Sequence, residues 1–335
     1  MIGKMLGHYK IAGHPGTECR KYRRRKTVSS GPLFLSWLEE LKRQVRMRSG
    51  SSEASALPGG TDMRTHRGFR AFQLAFILII LPTFCRAQEQ PQFTVEQQRE
   101  LLLNGKIAKS KQLEVGVTRS YKLTLSDGAI THDAHFQSIN ERQGFKQLDR
   151  GGEMNFVDSY LYNIAAYELA KLIGIDDMVP VTVQRKCEGK TGALAWWVTS
   201  QMTEGQRREK KISPPDLQSY NKAMHKIVVF TELIYDTDRY NPGNILIGNN
   251  WELYMIDFTR AFRQHHDLKN PGNLVRCSRP LLEKLRGLDS EVVTASLGKY
   301  LNKKEVEGVM KRRDKIVAHF DKLIAEKGEA AILYE

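Results

Sequence analysis

The stretch "ELIYDTDRYNPGNILIGNNWELYMIDFTRAFR", residues 232 to 263, constrains the fold of this chain more than any other. Two short apolar runs, "ILI" and "LYMI", flank a turn at Asn249-Asn250, which is the pattern of a tight β-hairpin. Closing that hairpin brings Asn244, which opens the first strand, beside Asp257, which follows the second. Asp238 stands six residues before Asn244 in a loop of turn formers, from which its side chain can face both. Asp and Asn satisfy backbone groups in turns, so "DTDRYNPGN" alone is explicable as a well-made loop. Asp257 needs a further reason, because a carboxylate directly after "LYMI" and before Phe258 sits where burial is costly without partners.

The elements around the hairpin change character along the chain. "TVEQQRELLLNGKI" reads as a short amphipathic helix. "EVGVTRSYKLTLSDGAITHDAHFQSI" alternates on both sides of Ser126-Asp127-Gly128, as a hairpin does. Val117, Tyr121, Leu123 and Leu125 share one face with Ala134 and Phe136, while Lys122, His135 and Gln137 point the other way. "NFVDSYLYNIAAYELAKLIG" is periodic at three and four and ends at Gly174, the signature of a helix with its terminal glycine. "MVPVTVQRK" and "GALAWWVTS" form a second strand pair across "CEGKT". From "SPPDLQSYNKAMHKIVVFTELIY" onward the periodicity is helical, broken only by the hairpin above. The fold class is therefore α+β, with a small β-rich lobe over residues 88–200 and a larger helical lobe over 201–335 that carries the hairpin and its polar ends.

Phosphoryl transfer asks a protein for positioned metal ions, a carboxylate that receives or orients the nucleophile's proton, and charge compensation. Mg²⁺ takes oxygen ligands, usually one or two carboxylates plus substrate phosphates. "DRYNPGN", "ILI" and "MIDF" resemble the catalytic loop and metal-binding segment of atypical kinases of the phosphatidylinositol-kinase-like and HipA-like group. "SYLYNIAAYELAKLIG" with "VPVTV" extends the likeness loosely over residues 115 to 330. The resemblance implies a two-lobed protein-kinase-like fold, in a divergent, exported bacterial-type member. It also implies a bound ATP with Mg or Mn, and an unidentified hydroxyl acceptor on a protein, lipid or small molecule. It carries the catalytic role to Asp238, metal binding to Asn244 and Asp257, and a structural or phosphate-facing role to Arg239. Three departures accompany it. Gln137 stands where the group has a strand lysine, Asn163 aligns with the helix glutamate that pairs with it, and Tyr240 lengthens the acid-to-Asn spacing by one. A neutral Gln137–Asn163 pair cannot match a cation's grip on phosphate oxygens. Lys122 on the neighbouring strand is the candidate for the missing charge, with surface solvation as the plainer account. Two readings stay open beside the kinase: an exported pseudokinase that binds partners, and a nucleotidyl transferase on the same scaffold.

The net charge of +14 does not indicate nucleic acid, because residues 1–70 hold 15 Lys and Arg against 5 Asp and Glu, which leaves only +4 for the rest. "MRTHRGFRAFQLAFILIILPTFCRAQEQ" has arginines, an apolar run from Ala71 to Leu81, and "CRA" before Gln88, the layout of a signal peptide over 63–87. The run is short of the roughly 20 residues that span a bilayer. Export to the periplasm or outside is the expectation, and an uncleaved anchor over 71–84 the alternative. Residues 1–62 then read as a mis-annotated or disordered extension. Cleavage removes Cys19 and Cys85 and leaves Cys187 and Cys277, either as one disulfide or as two buried thiols.

The other polar motifs read as structural. His132-Asp133 with His135, and His265-His266-Asp267, lack metal-helix spacing. "EGKTG" lies in a strand-strand turn rather than before a helix, so it is a turn and not a phosphate loop. Adjacent Trp196 and Trp197 point to opposite faces, one toward the core and the other toward an adenine. Tyr220 and Tyr235 read as core, and "KKEVEGVMKRRDKIVAHFDKLIAEK" as a solvated helix face.

Overall fold

Alternation and helical periodicity sort the chain as its sequence predicts. A computed structural model describes residues 93–113, 120–148 and 151–335. The extension 1–62, the segment 63–87 with its apolar run, Cys19, Cys85 and Val117 all lie outside the described residues. Helix α1 (Val95–Asn104) opens with a capping box in which Thr94 and Gln97 exchange side-chain and backbone bonds. Strands β1 (Lys106–Gln112), β2 (Ser120–Ser126) and β3 (Thr131–Gln137) follow, then β4 (Asn140–Leu148), β5 (Gly151–Ser159) and helix α2 (Leu161–Ile173). Strands β6 (Thr182–Cys187) and β7 (Lys190–Trp196) complete a five-stranded antiparallel sheet of order β1-β2-β3-β7-β6. Its register, with Lys122 opposite His135 and Ser120 opposite Gln137, buries Leu123, Leu125, Ala134 and Phe136 on one face. Lys122, Asp133, His135 and Gln137 occupy the other face, which roofs a cleft.

One expectation changes here, and one open alternative is resolved. The first five residues of the long periodic stretch, "NFVDS", are not helical: they end β5, which pairs with β4 in a hairpin separate from the main sheet. Helix α2 starts only at Leu161, and Gly174 closes it with φ 70°, a left-handed geometry that glycine takes without strain. Cys187 and Cys277 are two buried free thiols, not a disulfide.

The second half is helical around α4 (Leu217–Ile234), after the short β8 (Met202–Thr203) and α3 (Glu204–Glu209). Eleven of the α4 residues are buried, each large apolar one contributing about 1.5–3 kcal/mol. Strands β9 (Ile245–Ile247) and β10 (Leu253–Met255) form the expected hairpin, with Ile245 opposite Met255, and lie against α4. Its turn is longer than two residues: the Gly248 N–H donates to the Glu252 carbonyl at 2.8 Å, with Trp251 at φ 69°. Strand β11 (Cys277–Ser278), α5 (Arg279–Arg286), α6 (Ser290–Leu297), α7 (Lys303–Lys327), α8 (Glu329–Ile332) and β12 (Leu333–Tyr334) complete the chain. No helix among the described residues is long and apolar enough to cross a membrane.

Two buried polar residues on α7 tie the parts together. Glu305 caps the helix with Asn302, and its Oε1 accepts from the Tyr162 hydroxyl of α2 at 2.6 Å and from Arg142 of β4 at 2.8 Å. Arg312 corrects the solvated-face reading of α7, since it is fully buried. It donates to the Leu233 carbonyl at 2.8 Å, the Arg263 carbonyl at 2.9 Å and the His265 carbonyl, joining the end of α4 to the segment after Asp257. Loop carbonyls buried at that junction need donors, and the guanidinium supplies them. Replacing Arg312 by Leu leaves three carbonyls unmatched and should destabilise the protein by about 3 kcal/mol in urea unfolding. A loss below about 1 kcal/mol would show that water takes over those bonds.

Candidate active site

Asp238 and Asn244 meet because the loop between α4 and β9 folds on its own side chains. Asn244 ends a 3₁₀ turn over Pro242–Asn244 that Asn241 caps, and its Nδ2 donates to Asp238 Oδ2 at 3.0 Å. The extra residue of the loop, Tyr240, is half-buried against the core: the Asn270 amide donates to its hydroxyl, and Lys269 Nζ lies 4.2 Å from its ring centre. Pairing of β9 with β10 brings the Ile256 N–H to the Asn244 carbonyl at 3.0 Å, which sets Asp257 beside this loop. Asp257 itself has φ 56°, a left-handed conformation that Asp tolerates better than bulkier residues. Strained backbone of this kind persists where the surroundings over-determine it.

Arg239 supplies much of that determination. It is 1% exposed, and its Nε and Nη2 reach Asp236 Oδ2 at 3.0 and 2.8 Å. Nη1 donates to the carbonyls of Asn244 and Ile256 at 2.7 and 2.8 Å, and Nη2 reaches the Asp257 carbonyl at 3.4 Å. Of the two roles open to Arg239, the geometry matches the structural one. Asp236 also accepts from the Asp238 N–H at 2.9 Å, so one carboxylate orients both members of the Asp238-Arg239 pair.

Gln137 and Asn163 form the neutral pair that their chemistry permits. Asn163 Nδ2 donates to Gln137 Oε1 at 2.9 Å, and Asn163 Oδ1 accepts from the Phe258 N–H at 2.7 Å. The amide orientation follows, because only an oxygen can receive that N–H. Helix α2 thus holds both the sheet and the residue after Asp257. Lys122 lies in the same cleft, paired with Asp133 at 2.8 Å and 4.3 Å from the Trp197 ring centre. Trp196 stacks on His132 at 3.7 Å with Phe93 at its edge. "EGKTG" is a turn, with Glu188 and Gly189 at positive φ. Tyr220 is buried, whereas Tyr235 is half-buried and caps α4 in a left-handed conformation.

Lys122, Gln137, Asn163, Asp238, Asn244 and Asp257 line one cleft of about 1740 Å³ between the sheet and the helical part. Ala193, Ala195 and the segment from Trp196 to Ser200 border it on one side, and Asp238, Asn244 and Asp257 on another. The β4–β5 hairpin adds Lys146, Glu153, Phe156 and Asp158. Burial pushes the Asp238 carboxyl up to about 6, helped by the charges of Asp236 and Asp257. Burial likewise raises Asp257 and Asp158, and the Thr259 hydroxyl, which donates to Asp257 Oδ1 at 3.1 Å, opposes the rise in both.

Asp158 escaped the sequence reading because "NFVDS" passes for a helix start; read as a strand, it aligns Asp158 with Phe156 on one face. Its Oδ1 is buried without a hydrogen-bond partner. Asp236 opens "DTDRYNPGN" and carries no separate signal in the sequence.

Among the described residues no three His, Cys, Asp or Glu side chains cluster to hold a metal ion. The set at hand is one amide and the raised carboxylates. Such sparse oxygen sites suit Mg²⁺ or Mn²⁺ that draws its other ligands from phosphates and water. An orphaned carboxylate oxygen on the same wall, together with mutual repulsion among buried acids, is what a cation there would relieve. The donors therefore fit a divalent metal.

No family model matches the chain, and no curated protein matches it. Among solved structures, the chain is similar to hydra Fam20 with sugar, at 13% identity and a TM-score of 0.52, over 72% of this chain and 92% of that one. It is similar to the golgi casein kinase at 13% identity and a TM-score of 0.51, over 71% and 78%. The Helicobacter pylori proinflammatory kinase CtkA aligns at 11% identity and a TM-score of 0.39, over 68% and 98%. The first two show that the fold is kinase-like, a β-rich sheet region followed by a helical part.

The raised Asp238 has a consequence for the metal-free protein. The folded state holds this proton more tightly than the unfolded chain, so the group's stabilisation is complete below about 4 and is lost as pH rises through about 6. Asp238→Asn removes the cost of the ionised form and keeps an acceptor for Asn244. After allowance for partial exposure it should be about 1–2 kcal/mol more stable than wild type at pH 7.5, with the gap closing at pH 4. Denaturant melts at both pH values measure this, and a less stable variant at pH 7.5 would contradict the origin given for the shift.

Proposed function

We propose that the protein is an ATP-dependent and divalent-metal-dependent phosphotransferase that acts on a hydroxyl acceptor. The observation that carries this reading is the convergence of Asp238, Asn244 and Asp257 on the wall of a cleft in a kinase-like fold. Asp238 orients the acceptor hydroxyl and takes up its proton; a carboxyl pushed up to about 6 is well matched to that task near neutral pH. Asn244 and Asp257 hold the Mg or Mn, which when bound neutralises charge on the transferring phosphate. Arg239 positions all three from behind and touches no substrate. The base lies toward Ala193, Ala195 and Trp197, with Lys122, Gln137 and Asn163 toward the phosphates. The assignment to the phosphatidylinositol-kinase-like and HipA-like group rests on "DRYNPGN", "ILI" and "MIDF" alone, and export rests on residues 63–87.

A second reading has an observation of its own. The Gln137–Asn163 bond closes the same contact that an ion pair would close, but without a cation for phosphate. A protein built this way can bind nucleotide, or only a partner, without transferring phosphate.

Thermal melts with ATP and Mn²⁺ separate the readings. Wild type should gain about 2.7 kcal/mol of stability at a hundredfold excess over Kd, seen as a rise of several degrees in Tm. Asp257→Asn and Asn244→Ala should fold and lose that rise. No shift in wild type favours the partner-binding module. Label from γ-phosphate on an acceptor identifies a kinase, and label from α-phosphate a nucleotidyl transferase.

A further inference from the structure

Charge accounting around the cleft singles out one side chain that the proposed chemistry has not used. Among the described residues three cations line the cleft, and each is already matched: Lys122 to Asp133 at 2.8 Å, Lys146 to Glu141 at 2.6 Å, and Arg260 to Glu153. Among the described residues Asp158, Asp238 and Asp257 have no salt-bridge partner of their own. A nucleotide polyphosphate entering here meets an excess of negative charge, and a metal at Asn244 and Asp257 addresses only one end of it.

His135 stands in the middle of the roof. It is the cross-strand neighbour of Lys122 on β2 and of Ala195 on β7, with Asp133 and Gln137 two residues to either side on the same face of β3. Among the described residues neither ring nitrogen has a hydrogen-bond partner, and the side chain is only half-buried. The other histidine of the cleft is committed: His132 stacks on Trp196, and its Nε2 meets the Trp197 carbonyl at 3.0 Å. We propose that His135 is the anion-facing group of the cleft, its imidazole taking up a proton as the nucleotide's polyphosphate binds and supplying the positive charge that Gln137 lacks. This rests on the nucleotide reading of the cleft. Without ligand, desolvation holds the imidazole down at about 4, hence neutral near pH 7. Burial alone accounts for that shift; of the titratable groups around the cleft, Lys122 and a protonated His132 would oppose protonation, while Asp133, Asp158, Asp238 and Asp257 carry the charge that would favour it. A phosphate anion in contact reverses the balance, because an opposite charge at close range stabilises the imidazolium.

The test uses the full chain and ATP with Mg²⁺. Binding should tighten about fourfold from pH 8 to pH 6 if the bound imidazole regains an ordinary pKa near 6.5. His135→Gln should lose that fourfold component and keep only the slope due to Asp238, and with adenosine the two proteins should show the same pH dependence. In ¹³C-histidine-labelled wild type at pH 6, the His135 signal should move to its protonated position on adding ATP and stay put with adenosine. A His135 that stays neutral with ATP bound, or a pH slope as steep in His135→Gln as in wild type, overturns the proposal while leaving the cleft a nucleotide site. Absence of any ATP binding to wild type overturns both.

Discussion

One buried guanidinium holds the polar ends of the β9–β10 hairpin together. Arg239 spends its donors on the carbonyls of Asn244, Ile256 and Asp257 and on the carboxylate of Asp236, which in turn fixes the Asp238 backbone. The hairpin alone, three residues in each strand, has too little area to set the relative position of two loops. A buried Arg that lost its partners would be costly, so loop, hairpin and left-handed Asp257 hold one another in a single arrangement. That rigidity is what a site needs if its charges are to be in place before a ligand arrives.

The α2 contact works by the same logic with a different currency of atoms. Asn163 bonds Gln137 on the sheet and the Phe258 N–H beside Asp257, so it transmits position between the two parts without carrying charge. Shape and electrostatics are thereby separated in this molecule. Closure of the cleft needs only the hydrogen bonds, whereas attraction of an anion has to come from elsewhere. The carboxylates pushed up by burial are the other half of that separation. Asp236 and Asp257 each raise the cost of charging Asp238, a tension that the surrounding hydrogen bonds withstand and a cation would release.

Much of this was legible in the residues, and the gaps have physical causes. The hairpins over 120–137, 182–196 and 245–255 announced themselves through alternation and turn residues, and Gly174 marked its helix end. Asp238 and Asn244 could be brought together from pairing alone. Strand β1, "KIAKSKQ", is exposed along its whole length and has no apolar face to signal it. The β4–β5 hairpin failed to register because its partners across the chain are a few long polar contacts: Glu153 to Arg260 and Arg263, and Arg142 to Glu305. "NFVDS" then merged with the helix after it. Arg312 hid for a related reason: on a helix rich in Lys and Arg, nothing local distinguishes the one residue whose tertiary neighbours are bare carbonyls. Patterns in sequence reveal where apolar surface goes, and they are silent on which polar group will be needed to satisfy a loop.

The cysteines bear on where such a protein can work. Burial raises both thiols, Cys277 to about 12, so neither is a ready thiolate, and they occupy β6 and β11 rather than one joined position. A fold held by packing, by Arg239 and by Arg312 does not call on the redox state of its surroundings for stability. An oxidising and a reducing compartment are then equally compatible with the folded state.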